Sequence, residues 1–464
     1  MKTIKNFLNN LKHKNIHLVG VTGAEISSIL NLLVSQGIKN ITAHDFSERK
    51  YLEKNYKIWH KGLSVSERNR QFAVFKNNLE KILFFDAGSY LNNIEDADII
   101  FVPQSWRLYP SNRKLFSNEV NKIPFYSLTR LYLDYSPARI VAVTGTVGKG
   151  SVASLLYNLL DNGRSKVWFA GNETWKIQLA ENLISMTPED LMILEISHRQ
   201  LQDGFARSPS MVVFTNLYPN HLDELSWEKY AQIKLSLLKS LGKSSAAVIN
   251  YDDPLLRKTA TRLNTKVLLY SQKYKNMNIK DVQHIYNILL KTKSDHYIIN
   301  ILAASTAAIA LGVFPSGIPD RVFNIPPLPA RLERAGFISG INIIDDIKST
   351  TPWSTLAAVE KIKNINSLIL VGDTKKIDYT AFCKKLKEKD FRLIVLESPL
   401  SLILKKYFSE FEIRIVTDLE NAFEEALKNS KKGDSILISP AAANFYSRFI
   451  KGKKSIRKII SSFD

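Results

Sequence analysis

The stretch "AVTGTVGKGS", residues 142–151, ends the apolar run "RIVAVTG" and leads into "SVASLLYNLL". A strand that turns into a helix around two glycines and a lysine is the layout of a phosphate-cradling loop. Gly145 and Gly148 let the backbone N–H groups wrap an anion, and Lys149 neutralises charge. Such loops normally place a Ser or Thr hydroxyl after the lysine, directed at Mg2+; here that residue is Gly150, followed by Ser151. An ordinary Gly-rich turn is the alternative to this phosphate-loop reading.

Working outward, short β-rich runs alternate with amphipathic stretches almost throughout: "IHLVGV", "NITAHD", "DIIFVP", "KVWFAGN", "LMILEIS", "MVVFTNL", "AAVINYDD", "KVLLYS", "INIIDD", "SLILVGD", "LIVLES", "IRIVTD" and "SILISPA". Their near-continuous apolar character predicts strands buried on both faces, and so an α/β protein with mostly parallel sheets and helical crossovers. One boundary is expected near "DYSPAR", 134–139, and a second in "FPSGIPDRVFNIPPLPAR", 314–331, whose five prolines mark a linker. That gives three α/β units: 1–136, 137–313 and 314–464. The charged, helix-like stretch 46–81 reads as an exposed elaboration of the first unit.

The bulk numbers narrow the function. In 464 residues, 45% hydrophobic and 23% charged content is ordinary for a globular chain. No segment approaches the roughly 18 consecutive apolar residues of a membrane span. The basic N-terminus lacks the apolar core of a signal peptide, and the only cysteine is Cys383. A cytoplasmic protein without a membrane partner is expected. The net charge of +20 is spread along the chain, with no zinc-finger spacing or RNA-binding aromatic signature. That pattern does not favour nucleic acid; a generally lysine-rich composition is the plainer explanation, and a polyanionic small substrate would also benefit from the long-range field.

Other candidate residues fall at predicted strand ends, where ligands of open α/β sheets sit. In "HLVGVTGAEISSILNLLVSQG", Gly20 and Gly23 allow a tight turn into a helix whose first amides attract an anion. Asp45 ends the next strand, where a carboxylate can accept hydrogen bonds from a nucleoside; a plain strand–turn–helix is an equal reading of this motif. Glu195 ends the strand in "LMILEIS", and "VFTNLYPNHLDE", at the end of another predicted strand, carries Asn216, His221 and Asp223. A Glu and a His there suit Mg2+ beside ATP phosphates. A helix-capping Glu195 and a surface His221 are the plainer alternatives.

The ordered set "TGTVGKGS", "GNE", "LEISHRQL", "TNLYPNHLDE", "YAQIKLSLL", "DHYIIN", "LPARLE", "DDIKST", "VGDTKK" and "SPAAAN" resembles the Mur ligases over residues 16–450. "LPARLE" followed by "INIIDDIKSTTPWSTLAAV" looks like the D-glutamate-adding branch. The resemblance implies a three-domain architecture: a Rossmann-like UDP-sugar domain, a central ATPase-like domain and a Rossmann-like domain for the amino acid. It implies ATP and Mg2+ as cofactors, UDP-N-acetylmuramoyl-L-alanine and D-glutamate as substrates, an acyl phosphate intermediate, a role in peptidoglycan precursor synthesis, and a monomer. By the same resemblance, Gly145, Thr146, Gly148, Lys149, Gly150 and Ser151 hold the ATP phosphates. Glu195, His221 and Lys234 bind the metal, Lys234 as a carbamate. Asn300, Arg331 and Asp346 contact the nucleotide, and Lys348 stands at the reacting centre. Gly20, Thr22, Gly23, Asp45, Asn172, Ser197, Thr350, Lys375 and Asn444 line the substrates. On its residues alone, Lys234 reads equally as a solvated helix-face lysine.

Four departures from the family pattern stand out: Gly150; Val147 in place of a common Asn; "VPQSW" where a Ser-Pro-Gly turn is usual; and "FYSRFIKGKKSIRK" after "SPAAAN", with Asn444 at a usual Ser position. Losing one metal-directed hydroxyl is worth about 2–3 kcal/mol, a slowing rather than silence. ATP use is therefore expected. Three alternatives remain: a related ligase for another acceptor such as L-glutamate, a folate polyglutamylating ligase, against which "DDIKST" and "LPARLE" count, and a non-catalytic protein that binds ATP or UDP-sugar.

Overall fold

The apolar run ahead of the phosphate loop becomes the strand Arg139–Thr144, buried from Ile140 onward. It lies between Leu191–Glu195 and Met211–Phe214 in a six-stranded sheet. The order is Lys266–Tyr270, Ala246–Asn250, Met211–Phe214, Arg139–Thr144, Leu191–Glu195, Val167–Gly171, with every pairing parallel. Strands in such a sheet need apolar side chains on both faces, which is why they read as unbroken Val/Ile/Leu runs. Helix Lys149–Leu160, which follows the loop, packs against helix Ile298–Ala310.

The computed structural model describes residues 3–161, 166–171, 178–273, 276–291, 297–445 and 456–462. Among these residues there are two further sheets. The first, near the N-terminus, is five-stranded and parallel: Leu83–Phe85, Ile41–His44, Ile16–Val19, Ile99–Phe101, Phe125–Tyr126. The second, near the C-terminus, has the order Glu333–Ile338, Ile341–Asp345, Ser435–Ala441, Ile365–Val371, Arg392–Leu396, Ile413–Val416. It is parallel except for its first pair, which is antiparallel with a bulge between Arg334 and Gly336. The fold is thus the parallel α/β architecture expected.

The chain gathers into two compact units. The first comprises Met1–Asn216, Gln232–Lys291 and Ile298–Val322; the second comprises Leu217–Ala231, Thr292–Tyr297 and Phe323–Asp464. Within the proline-rich stretch, a short 3-10 turn, Pro315–Gly317, runs into helix Ile318–Phe323. A linker reading of this stretch misses the helix, because Pro319 sits in the first turn, where no backbone donor is needed. Ile318 and Val322 are buried on its inner face.

Residues 46–81 form helices Leu52–Trp59 and Val65–Leu79. They are fastened rather than loose. Tyr56 and Phe75 are buried, Ser27 Oγ and His60 Nε2 lie 3.1 Å apart, and Asn78 Nδ2 donates to Asn31 Oδ1 at 2.9 Å.

Candidate active site

The phosphate loop is shaped by contacts that leave no room for side chains at its glycines. Gly145 has φ +141°, and a Cβ there would lie 1.9 Å from Thr215 Oγ1. Gly148 has φ +85°, and a Cβ would lie 2.6 Å from Asn300 Oδ1. Asn216, two residues beyond the neighbouring strand, fixes the loop. Its carbonyl accepts from Thr146 N at 2.9 Å, its Oδ1 from Val147 N at 2.8 Å, and its Nδ2 donates to Val147 O at 3.0 Å. Thr215 Oγ1 donates to the same Val147 carbonyl at 2.6 Å. Lys149 opens the helix and its Nζ donates to Thr146 O at 3.1 Å. Gly150 is buried in the first turn and Ser151 is half-buried beside it.

Lys234 is the most informative side chain of the first unit. It sits on helix Trp227–Lys239 and is 1% exposed, so it is not a solvated helix-face lysine. Its Nζ donates to Gly145 O at 2.6 Å and to Thr144 Oγ1 at 3.5 Å. Burial pushes its amine well below the ordinary lysine range, and the charge of Lys149 adds to this; Glu195 opposes. Glu195, 1% exposed, closes the strand beside the loop. Gly171 lies against it: a Cβ there would come within 2.2 Å of Glu195 O. Ser197 caps helix His198–Leu201, its hydroxyl donating to Gln200 Oε1 at 2.9 Å, and Gln200 Nε2 donates to Thr129 Oγ1. Asn172 lies outside the described residues.

At the first sheet, Gly20 (φ +74°) turns the chain, and Gly23 N donates to Gly20 O. Asp45 is buried and organises the loop. Its Oδ2 accepts from Thr22 Oγ1 at 2.6 Å and Thr22 N at 3.1 Å, and its Oδ1 accepts from Ser47 N. The unusual "VPQSW" turn is held just as firmly. Gln104 N donates to Glu25 Oε2 at 2.8 Å, while Trp106 Nε1 and Arg107 donate to Asp203 Oδ1 at 3.3 and 2.5 Å. Burial pushes the Glu25 carboxyl up to about 7.

In the second unit, "DDIKST" runs between two other motifs. Asp346 is buried; its Oδ1 accepts from Leu332 N and its Oδ2 from Ser439 Oγ at 2.7 Å. Burial raises its carboxyl to about 6, although the Ser349 and Ser439 hydroxyls oppose the shift. Lys348 N donates to Ala330 O, and Ala441 N to Ser349 O, so the motif is stitched to "LPARLE" on one side and "SPAAAN" on the other. Gly372 lets the strand end approach Ala443, and Asn444 Nδ2 donates to Asp373 Oδ2 at 2.6 Å. Lys375 Nζ donates to Asn220 Oδ1 at 3.2 Å, and Leu222 N to Lys375 O. His221 Nδ1 lies 2.8 Å from Glu224 Oε1. His221, Lys375 and Asn444 all have left-handed backbones, as do Ala330 and Leu332 on either side of Arg331. Non-glycine residues so placed are uncommon and gather at functional loops. Thr350 N donates to Lys348 O.

A strand, a glycine-tight loop and a helix opening on a lysine, with a buried carboxylate at the next strand end, define a nucleoside-triphosphate-using enzyme. The family models agree and sharpen the class: "Mur ligase middle domain" matches residues 143–309, and "Mur ligase, glutamate ligase domain" matches residues 330–442. The chain belongs to the Mur ligase family and is an ATP-dependent carboxylate–amine ligase. It is 30% identical over 347 residues to the UDP-N-acetylmuramoylalanine–D-glutamate ligase of Caldanaerobacter subterraneus subsp. tengcongensis, covering 70% of this chain and 76% of that one. It is 26% identical to the ligase of the same name from Acetivibrio thermocellus, with 99% of both chains covered. Among solved structures it resembles the MurF ligase of Thermotoga maritima in complex with ADP. The TM-score is 0.53 and the identity 18%, over 85% of this chain and 91% of that one.

Proposed function

We propose that the chain joins D-glutamate to the alanyl carboxylate of UDP-N-acetylmuramoyl-L-alanine, with ATP consumed to ADP and phosphate. The observation that carries this reading is the likeness, over nearly the whole chain, to ligases named for that reaction. The substrate carboxylate attacks the γ-phosphorus of ATP, the bond to ADP breaks, and an acyl phosphate forms. The D-glutamate amine, having lost a proton, then attacks the acyl carbon, and phosphate leaves as the amide forms.

Backbone N–H groups from Gly148 to Ser151, with the Lys149 ammonium, hold the transferring phosphate and offset its charge, while the N–H groups of Thr146 and Val147 bond Asn216 and shape the loop that Gly145 opens. Asn300, Arg331 and Asp346 hold the nucleoside, Asp346 as the acceptor for ribose hydroxyls. Gly20, Thr22, Gly23, Asp45, Asn172 and Ser197 serve the UDP-sugar, with Asp45 acting through the Thr22 hydroxyl it orders. Lys348 lies at the reacting centre, and Thr350, Lys375 and Asn444 steer the glutamate carboxylates. The buried Glu195 carboxylate is the hard oxygen donor that Mg2+ prefers, and His221 and Lys234 complete the proposed set. Mg2+, when bound, supplies charge neutralisation at the phosphoryl oxygens. The depressed amine of Lys234 favours addition to carbon dioxide, which releases a proton and turns a buried amine into an anionic oxygen donor. On this reading the three sheets divide the labour: 1–136 for the UDP-sugar, 137–313 for ATP and 314–464 for the amino acid.

The test is phosphate release with ATP, Mg2+ and UDP-N-acetylmuramoyl-L-alanine, comparing D-glutamate, L-glutamate and no amino acid. Release that depends on D-glutamate is the expected result. Release with L-glutamate instead would move the acceptor while keeping the chemistry. Silence in all three mixtures, from folded protein that binds ATP, would refute turnover.

A further inference from the structure

Residues 46–81 belong to none of the steps above, yet they carry the densest set of exposed apolar side chains in the first unit. Ile58, Trp59 and Val65 are 45%, 53% and 66% exposed. They flank the turn between helices Leu52–Trp59 and Val65–Leu79, and the Leu63 N to His60 O bond and the Arg68 guanidinium on Lys57 O keep that turn tight. Tyr51, Lys54 and Ile58 recur at helical spacing on one outward stripe, and Lys61 extends it. The inner side of the hairpin is fixed by Tyr56, Phe75 and the Ser27–His60 and Asn31–Asn78 pairs. The tip is therefore a braced turn that presents exposed apolar side chains rather than a frayed loop.

Its surroundings are basic. Residues 48–81 hold nine Lys and Arg against four Glu. Three of the glutamates are bound to neighbours, Glu48 to Lys50, Glu53 to Lys57 and Glu67 to Arg70. Lys54, Lys61 and Lys76 enter no ion pair among the described residues and are exposed. A tryptophan and two aliphatic side chains exposed at one turn, in a segment rich in exposed lysines, suit the headgroup layer of an anionic bilayer. There an indole sits at the interface and each nearby cation adds to binding. The whole-chain charge of +20 draws in the same direction.

We infer that the 52–79 hairpin is a peripheral docking element for anionic membrane surfaces, entering the headgroup region through Ile58, Trp59 and Val65. Such contact needs no spanning helix, and no helix among the described residues is long and apolar enough to cross a membrane.

The test is co-sedimentation of the full chain with vesicles of phosphatidylglycerol and phosphatidylcholine in equal parts, and with phosphatidylcholine alone. Binding is expected to the mixed vesicles and to be much weaker to the neutral ones. The pair Ile58→Ser and Trp59→Ser is expected to lower it by about tenfold or more, from the apolar area that no longer inserts. The same pair keeps ligase turnover and thermal midpoint unchanged, which separates loss of docking from loss of fold. Absence of binding to the mixed vesicles overturns the inference and turns the tip toward a protein partner. Binding that the double substitution leaves intact overturns it as well, because diffuse charge alone would then be acting.

Discussion

Gly148 shows how much of the chemistry rests on single positions. Its left-handed φ costs a side chain about 1–2 kcal/mol, and its neighbour Asn300 Oδ1 occupies the space a methyl would need. Gly148→Ala is expected to weaken ATP binding and lower the thermal midpoint. Adding Asn300→Ala should recover only part of the midpoint, because the backbone strain persists; calorimetry on the single and double variants reads this directly. Lys149→Ala leaves the loop's backbone in place and removes its charge, so turnover should fall by about 10²–10³-fold with little change in stability. For Lys234, protein equilibrated with carbon-13 bicarbonate is expected to show a carbamate carbonyl resonance that Lys234→Arg lacks. Glu25 supplies a pH signature. Its folded carboxyl is raised to about 7 by burial, so the folded chain binds the extra proton, and stability falls as pH rises from the ordinary glutamate range through 7. Glu25→Gln removes that loss. Its advantage in unfolding free energy should be near zero at pH 4 and grow to about 3 kcal/mol at pH 8.

At the scale of elements, what the sequence revealed was what is local. The buried parallel strands were legible because a strand covered on both faces must be apolar throughout. Glu333–Ile338 was not, since "ERAGFI" mixes charge and glycine on a half-exposed antiparallel edge. Leu83–Phe85 and Phe125–Tyr126 were too short to stand out. The phosphate loop was legible for the same local reason: its glycines and lysine lie within five residues. The burial of Lys234 and the anchoring of "VPQSW" were not, because both arise from partners far along the chain. The second case can be tested. Asp203 is fully enclosed and takes both Trp106 Nε1 and Arg107, and the Asp203 carbonyl accepts from Arg130. Asp203→Ala would strand two donors and is expected to cost about 3 kcal/mol of stability. If "VPQSW" does the work of the usual Ser-Pro-Gly turn, the same variant should raise KM for the UDP-sugar more than KM for ATP. Equal rises in the two would place the loss in the fold alone.

For the whole molecule, the dominant property is charge. The proposed substrates, ATP and a UDP-sugar, are polyanions, and a chain carrying +20 surrounds itself with a field that attracts them before any contact is made. A field of this kind acts on encounter rather than on the bound complex, so it should appear in kcat/KM and leave kcat alone. Raising ionic strength from about 0.01 M to about 1 M shortens the screening length from about 30 Å to about 3 Å. Across that range kcat/KM for the UDP-sugar is expected to fall steeply while kcat stays level, and a neutral osmolyte at matched viscosity should not reproduce the fall. Parallel losses in kcat would show instead that salt disturbs the buried charges around Lys149, Glu195 and Lys234. The distinction matters for the +20 itself. If encounter is what it serves, substitutions of exposed lysines remote from the phosphate loop should each lower kcat/KM slightly and additively, whereas a charge kept only for solubility would leave every one of those rates unmoved.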